Sequence, residues 1–146
     1  MKKLMFLFVC LLSMQVVMAD NDKLITVEKL PQKAQEFVKT HFAKADVAFT
    51  KMEREFLDSS YEIMFVNGDK IEFDKSGNWK EIQCKRQSVP DAIVPAKIKA
   101  FIQENYPDAK VLQIEKDRYE YEVRLSNYWE LTFDLEFNLI DMNQDD

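Results

Sequence analysis

The chain has 146 residues, a formal net charge of −6 and 47% hydrophobic residues, among them eleven phenylalanines. That length allows one ordinary domain, or two very small subdomains sharing a core, and the acidic balance disfavours nucleic acid and anionic membrane surfaces as partners. With one histidine, two cysteines and two glycines, the chain cannot assemble the usual zinc or Cys–His sites and leaves little scope for a Gly-rich phosphate loop.

Residues 1–19 read as a secretory signal. Lys2 and Lys3 supply the positive start, Leu4 to Val17 the apolar stretch, and Val17-Met18-Ala19 a small residue after which cleavage is expected. The stretch is too short for a permanent span, which needs about 20 apolar residues, and no other segment is long and apolar enough. A periplasmic or secreted protein is therefore expected. Cys10 follows the bulky Val9 inside the apolar stretch, which disfavours lipidation. Removing the first nineteen of the 146 residues leaves 127, and losing Lys2 and Lys3 takes the formal charge from −6 to −8. Cys84 is then the only cysteine, so no intramolecular disulfide forms and the core must hold the fold. Its first reading is a small buried residue on a strand, with intermolecular pairing or a reactive thiol as alternatives.

From residue 30 the chain runs through a pattern that it then repeats. Residues 30–47 return as 94–111, and a second block returns with a shift of 60. Tyr61-Glu62-Ile63 comes back as Tyr121-Glu122-Val123, Phe73-Asp74 as Phe133-Asp134, and Asn78 as Asn138. Each copy opens with a helix. Pro31 and Pro95 sit in the first turn, followed by stripes of Ala34, Phe37, Val38 and His41, and of Ile98, Phe101, Ile102 and Asn105. Pro107 ends the second helix.

The period then changes from 3.6 to 2, predicting strands over 47–55, 60–67, 70–74 and 79–85, and over 110–116, 119–126, 128–135 and 138–142. Asn67-Gly68 predicts a two-residue hairpin, and residues 75–78 a longer turn. Residues 86–93, with Pro90, link the copies. The sequence thus predicts an α+β fold: two tandem helix-plus-four-strand repeats, 20–86 and 87–146, forming one antiparallel sheet of about eight strands with the helices on one face and a shared core. The other sheet face is left open.

The copies diverge in an informative way. Gly68 corresponds to Tyr128, Gly77 to Phe137, Trp79 to Leu139 and Phe49 to Gln113. Trp79 is out of step with Ile82 and Cys84, which predicts that it points to the open face. Trp79, Tyr128, Phe137 and Phe49 are therefore the candidate partner-binding residues, since exposed aromatics anchor protein partners. The plainer reading of Tyr128 and Phe137 is that they cap the edges of the core.

No catalytic constellation, metal set or cofactor motif can be named. His41, on the helix stripe and matched by Asn105, reads as a polar helix end. Glu62, Glu72, Asp74, Glu122, Glu130 and Asp134 fall at ordinary solvent-facing strand positions or turn starts, with Asp74 and Asp134 stabilising turns. Residues 74–78 lack the spacing and terminal Glu of a calcium loop. The acidic tail 141–146 reads as a solvated end, with weak cation binding as the alternative.

The Pro-led helices, the segment 106–111 (Tyr-Pro-Asp-Ala-Lys-Val), and the Tyr-Glu and Phe-Asp strands together resemble exported PepSY-like proteins of the β-lactamase-inhibitor-like fold. These occur in the envelope of Bacteroides-type bacteria. Copy one departs from the pattern at Ala43, where copy two has Pro107, and carries four extra residues before Tyr61. The resemblance implies a sheet with two flanking helices that grips another protein. No segment matches an inhibitor's binding loop. The expected function is a non-enzymatic exported binding module acting through the open sheet face, with inhibition of an envelope hydrolase as the role the resemblance implies. The alternative is a carrier of a small ligand or cation.

Overall fold

From Val47 onward, apolar and polar residues alternate with a period of two through one strand after another, which places one set on a buried face and the other set opposite. The structure, a computed structural model, describes residues 22–145. The predicted signal segment and its cleavage after Ala19 lie outside the described residues. Nine strands pair in chain order into a single sheet, every neighbouring pair antiparallel. They are β1 (Asp22–Ile25), β2 (Val47–Glu55), β3 (Asp58–Phe65), β4 (Lys70–Asp74), β5 (Trp79–Gln83), β6 (Val111–Lys116), β7 (Glu120–Leu125), β8 (Trp129–Asp134) and β9 (Leu139–Gln144). Helices α1 (Gln32–His41) and α2 (Ala96–Asn105) precede β2 and β6. The predicted α+β class holds, with one strand more than the count of about eight. β1 is only four residues long, too short to display a period, and its register on β2 is what makes it a strand.

The core is a straight row across the sheet. Ile63, Ile71, Ile82, Ile114, Val123 and Leu131 are register partners from β3 to β8, and all are fully buried. Each helix lays one phenylalanine edge-on against this face. Phe37 meets Phe73 and Phe101 meets Phe133, both with centroids 5.8 Å apart, at 83° and 82°. Such edge-to-face pairs add to the area they bury. Phe73 and Phe133 share the face of the aliphatic row, so both helices cover one side of the sheet. Pro31 and Pro95 stand at the N-cap positions, one residue before the helices begin.

Four of the hairpins share one loop. In each, the third loop residue has positive φ and donates its N–H back to the last residue of the strand before: Gly68 to Phe65, Gly77 to Asp74, Tyr128 to Leu125 and Phe137 to Asp134. The Asn67-Gly68 hairpin is accordingly a three-residue loop. Phe65 and Asp69 close it, and only Gly68, at φ 94°, is left-handed. Asp74 Oδ1 accepts from the N–H groups of Ser76 and Asn78, and Asp134 Oδ1 from those of Glu136 and Asn138, as the turn reading predicts. Gly77 is required for a second reason: a Cβ there would lie 2.9 Å from the Pro31 Cβ.

Thr50 extends the core row into β2 opposite Ile63, and its Oγ1 is buried without a hydrogen-bond partner among the described residues. An orphaned buried hydroxyl is costly, whereas a methyl of the same shape is not. Thr50→Val is expected to stabilise the fold by about 1 kcal/mol, read as a higher urea midpoint. A lower midpoint would show that the hydroxyl has a partner after all.

Candidate functional site

On the open face, the residue beside each core aliphatic is a glutamate in five consecutive strands. Register pairs Glu62 with Glu72, Glu72 with Glu81, Glu81 with Glu115, and Glu115 with Glu122. Lys51 continues the row into β2, and Thr132 and Asp141 continue it into β8 and β9. With neighbouring strands about 4.8 Å apart, the five carboxylates extend over about 19 Å. A parallel row beside them reads Phe49, Met64, Lys70, Gln83, Gln113, Arg124, Glu130 and Asn143.

Like charges directly opposite one another destabilise a sheet, and this face stacks them four times in succession. Burial pushes the Glu62, Glu72 and Glu115 carboxyls above the usual carboxylate range, and neighbouring carboxylates add to the rise. A hydrogen bond with Glu130, then burial, pushes the Glu122 carboxyl up to about 8, so Glu122 keeps its proton at neutral pH. Gln113 Nε2 donates to Glu81 Oε1 at 2.7 Å. Lysines relieve the row at the β2–β4 side: Lys51 pairs with Glu53 at 2.9 Å and Lys70 with Glu72 at 3.6 Å. Glu62 is only 8% exposed, yet no described residue hydrogen-bonds to it or pairs with it within 4.0 Å. Among the described residues no three His, Cys, Asp or Glu side chains converge to hold a metal ion.

The four aromatic candidates do not form one patch. Phe49 stands on the open face opposite Met64, 39% exposed. Trp79 does not: Lys80 is bulged out of the β4–β5 ladder, which resets the alternation and pairs Trp79 with Phe73 on the helix side. There it packs against the core under the Lys116 Nζ, which lies 4.1 Å from the ring centre. Phe137 packs at the core edge, its ring 5.2 Å from that of Tyr121. Tyr128 is 66% exposed at a loop tip. Both Tyr128 and Phe137 hold the left-handed conformation, at φ 72° and 68°, that glycine holds in the loops before them.

The glutamate row was missed because each member, taken singly, is an ordinary surface residue. The signal was nonetheless present in the sequence as Glu62-Ile63, Ile71-Glu72, Glu81-Ile82, Ile114-Glu115 and Glu122-Val123. One acid stands next to the central aliphatic in each of these five strands.

A separate cleft of about 480 Å³ lies between the end of α1 and the segment after β5, with Thr40, His41, Asp69, Cys84 and Ser88 in its lining. Cys84 is buried and free, and burial, with Asp69 beside it, pushes its thiol up to about 12. That chemistry supports the small buried residue over the reactive thiol.

Comparison with known proteins supplies the context. The sequence model of a family described as "Putative beta-lactamase-inhibitor-like, PepSY-like" matches residues 59–141. A crystal structure from Bacteroides thetaiotaomicron, described as a "putative calcium-regulated periplasmic protein", is 58% identical. It covers 86% of this chain and 99% of its own, with a TM-score of 0.84. A "putative periplasmic protein" from Bacteroides vulgatus is 55% identical over the same shares, also with a TM-score of 0.84. Another from that organism is 34% identical, covering 84% of this chain and 99% of its own, with a TM-score of 0.80. No curated protein matches the chain in sequence.

Proposed function

Since the chain belongs to the PepSY-like, β-lactamase-inhibitor-like family, we propose that it is a non-enzymatic exported binding module whose open sheet face engages a protein partner in the cell envelope. The family's name favours an envelope hydrolase as that partner. In this reading residues 1–19 are removed, and 20–86 and 87–146 are tandem repeats sharing one core. The relatives described as periplasmic support the location, and no helix among the described residues is long and apolar enough to cross a membrane.

One observation carries the reading: the row Glu62, Glu72, Glu81, Glu115 and Glu122 sets like charges opposite one another, against sheet stability. Features that contradict local stability rules concentrate at functional sites. Capture from envelope extract by wild type and by Glu72→Lys/Glu115→Lys tests it. A protein retained by the wild type and released by the reversal is expected, and equal retention would remove the face from the binding site.

A second reading, a cation-responsive protein, is favoured by the relative described as calcium-regulated and by the same carboxylates. Calcium that binds only the folded state must raise the melting temperature, so a thermal shift lost in Glu72→Gln/Glu115→Gln would establish it.

Tyr128 and Phe49 remain candidate contacts at the rim and on the face. Tyr128 at positive φ is strained relative to glycine by about 1 kcal/mol. Tyr128→Gly is therefore expected to raise the melting temperature while weakening partner capture. A lower melting temperature would make Tyr128 a structural residue.

A further inference from the structure

We infer that the glutamate row is a track for an extended, lysine- or arginine-rich segment of a protein partner. The inference rests on the open face being the binding face and names what that face recognises.

The shape of the charge argues first. A calcium ion gathers six to eight oxygens at about 2.3–2.6 Å around one point. Here the carboxylates are strung in a line about 19 Å long, and no three of the described acidic side chains converge. A line of anions complements a line of cations. Side chains on one side of an extended peptide repeat about every 6.7 Å, so four successive lysines or arginines on that side span about 20 Å and match the length of the row.

The neighbouring groups argue second. Gln83 and Gln113 are register partners in the adjacent row, and Asn143 lies farther along it. Side-chain amides both donate and accept, which suits a ligand bearing backbone N–H and C=O groups as well as charge. A simple polyamine offers only the charge. Phe49 and Met64 at the end of that row give apolar surface for the stems of long cationic side chains.

Glu62 argues third, through its burial. It is nine-tenths buried on this face, with no donor and no ion pair among the described residues. Lys51 and Lys70 attract its charge without coming within 4.0 Å, and an incoming ammonium or guanidinium supplies the direct contact that a buried carboxylate favours. Lys51 at the β2 end and Arg124 beside Glu130, at 3.7 Å, bound the acidic stretch and set where a cationic segment can lie.

The test uses a fluorescent twelve-residue peptide of alternating lysine and serine, titrated with the protein while anisotropy is recorded at pH 7.5. Saturable binding is expected, weakened about tenfold by raising the salt from low to physiological strength. Glu72→Gln/Glu115→Gln should weaken it by about tenfold or more, as loss of complementary charge at an interface does. The helix variant Glu36→Gln/Glu104→Gln should leave it unchanged. Melting curves establish that both variants fold. Absence of peptide binding to the wild type overturns the inference, as does equal weakening in the helix variant. Spermidine or calcium binding that depends on Glu72 and Glu115, without peptide binding, also overturns it and reassigns the face to a small cation. A protein captured from extract through this face by a wild type that ignores the peptide overturns the polybasic track alone. The binding face itself would stand.

Discussion

Phe133→Ala is expected to lower stability by about 3–5 kcal/mol, and Phe73→Ala by a similar amount. Each ring is buried in the sheet surface and meets a helix phenylalanine edge-on, Phe101 and Phe37 respectively. Truncation therefore removes a ring's worth of burial, leaves a cavity, and deprives the helix of this edge-on contact with the sheet. A domain of this size has about 5–15 kcal/mol in total, so either change consumes a large share. Urea unfolding by circular dichroism measures it. A loss under about 1 kcal/mol for Phe133→Ala would mean that α2 is held by other contacts, with Ile98 and Ile102 first among them.

The second large effect is on pH dependence. Glu122 titrates at about 8 in the folded protein, against about 4.3 in an unfolded chain. Between those values the native state holds a proton that the unfolded state has lost. Stability is therefore full below the unfolded value and declines as pH rises towards 8. The raised carboxyls of Glu62, Glu72 and Glu115 act in the same direction. Partial exposure of the row screens the effect, leaving an expected fall in melting temperature of about 3–6 °C between pH 5 and pH 8. Glu122→Gln should flatten the profile and raise stability at pH 8. A profile that rises over this range would contradict the proton held by Glu122. The same linkage means that a cationic partner binds more tightly as pH rises and the row loses its protons.

Much of the fold could be read directly. The change of period from 3.6 to 2, the prolines before each helix and the Phe-Asp turns located both helices and eight of the nine strands. Local patterns suffice there because helix and strand faces are set by spacing within a few residues. The Asn67-Gly68 loop was mis-sized by one residue, since the same dipeptide serves two-residue and three-residue hairpins. Trp79 was put on the wrong face because a bulge at Lys80 is invisible to an alternation count. A single extra residue reverses every later assignment on the strand.

The functional face shows the same division more sharply. The amino-acid order alone placed a glutamate beside the buried aliphatic in each of five strands, and it marked Tyr128 and Phe137 as departures from glycine. It also determined the apolar stripes that bring both helices to one side. Only the register between strands made those scattered acids a single row, with Glu62 buried and Glu122 pushed up to about 8. Register is a relation between segments distant in the chain, settled by how whole strands pair and pack. Electrostatic coupling depends on that pairing, because charges interact through space over a few ångströms and not along the chain.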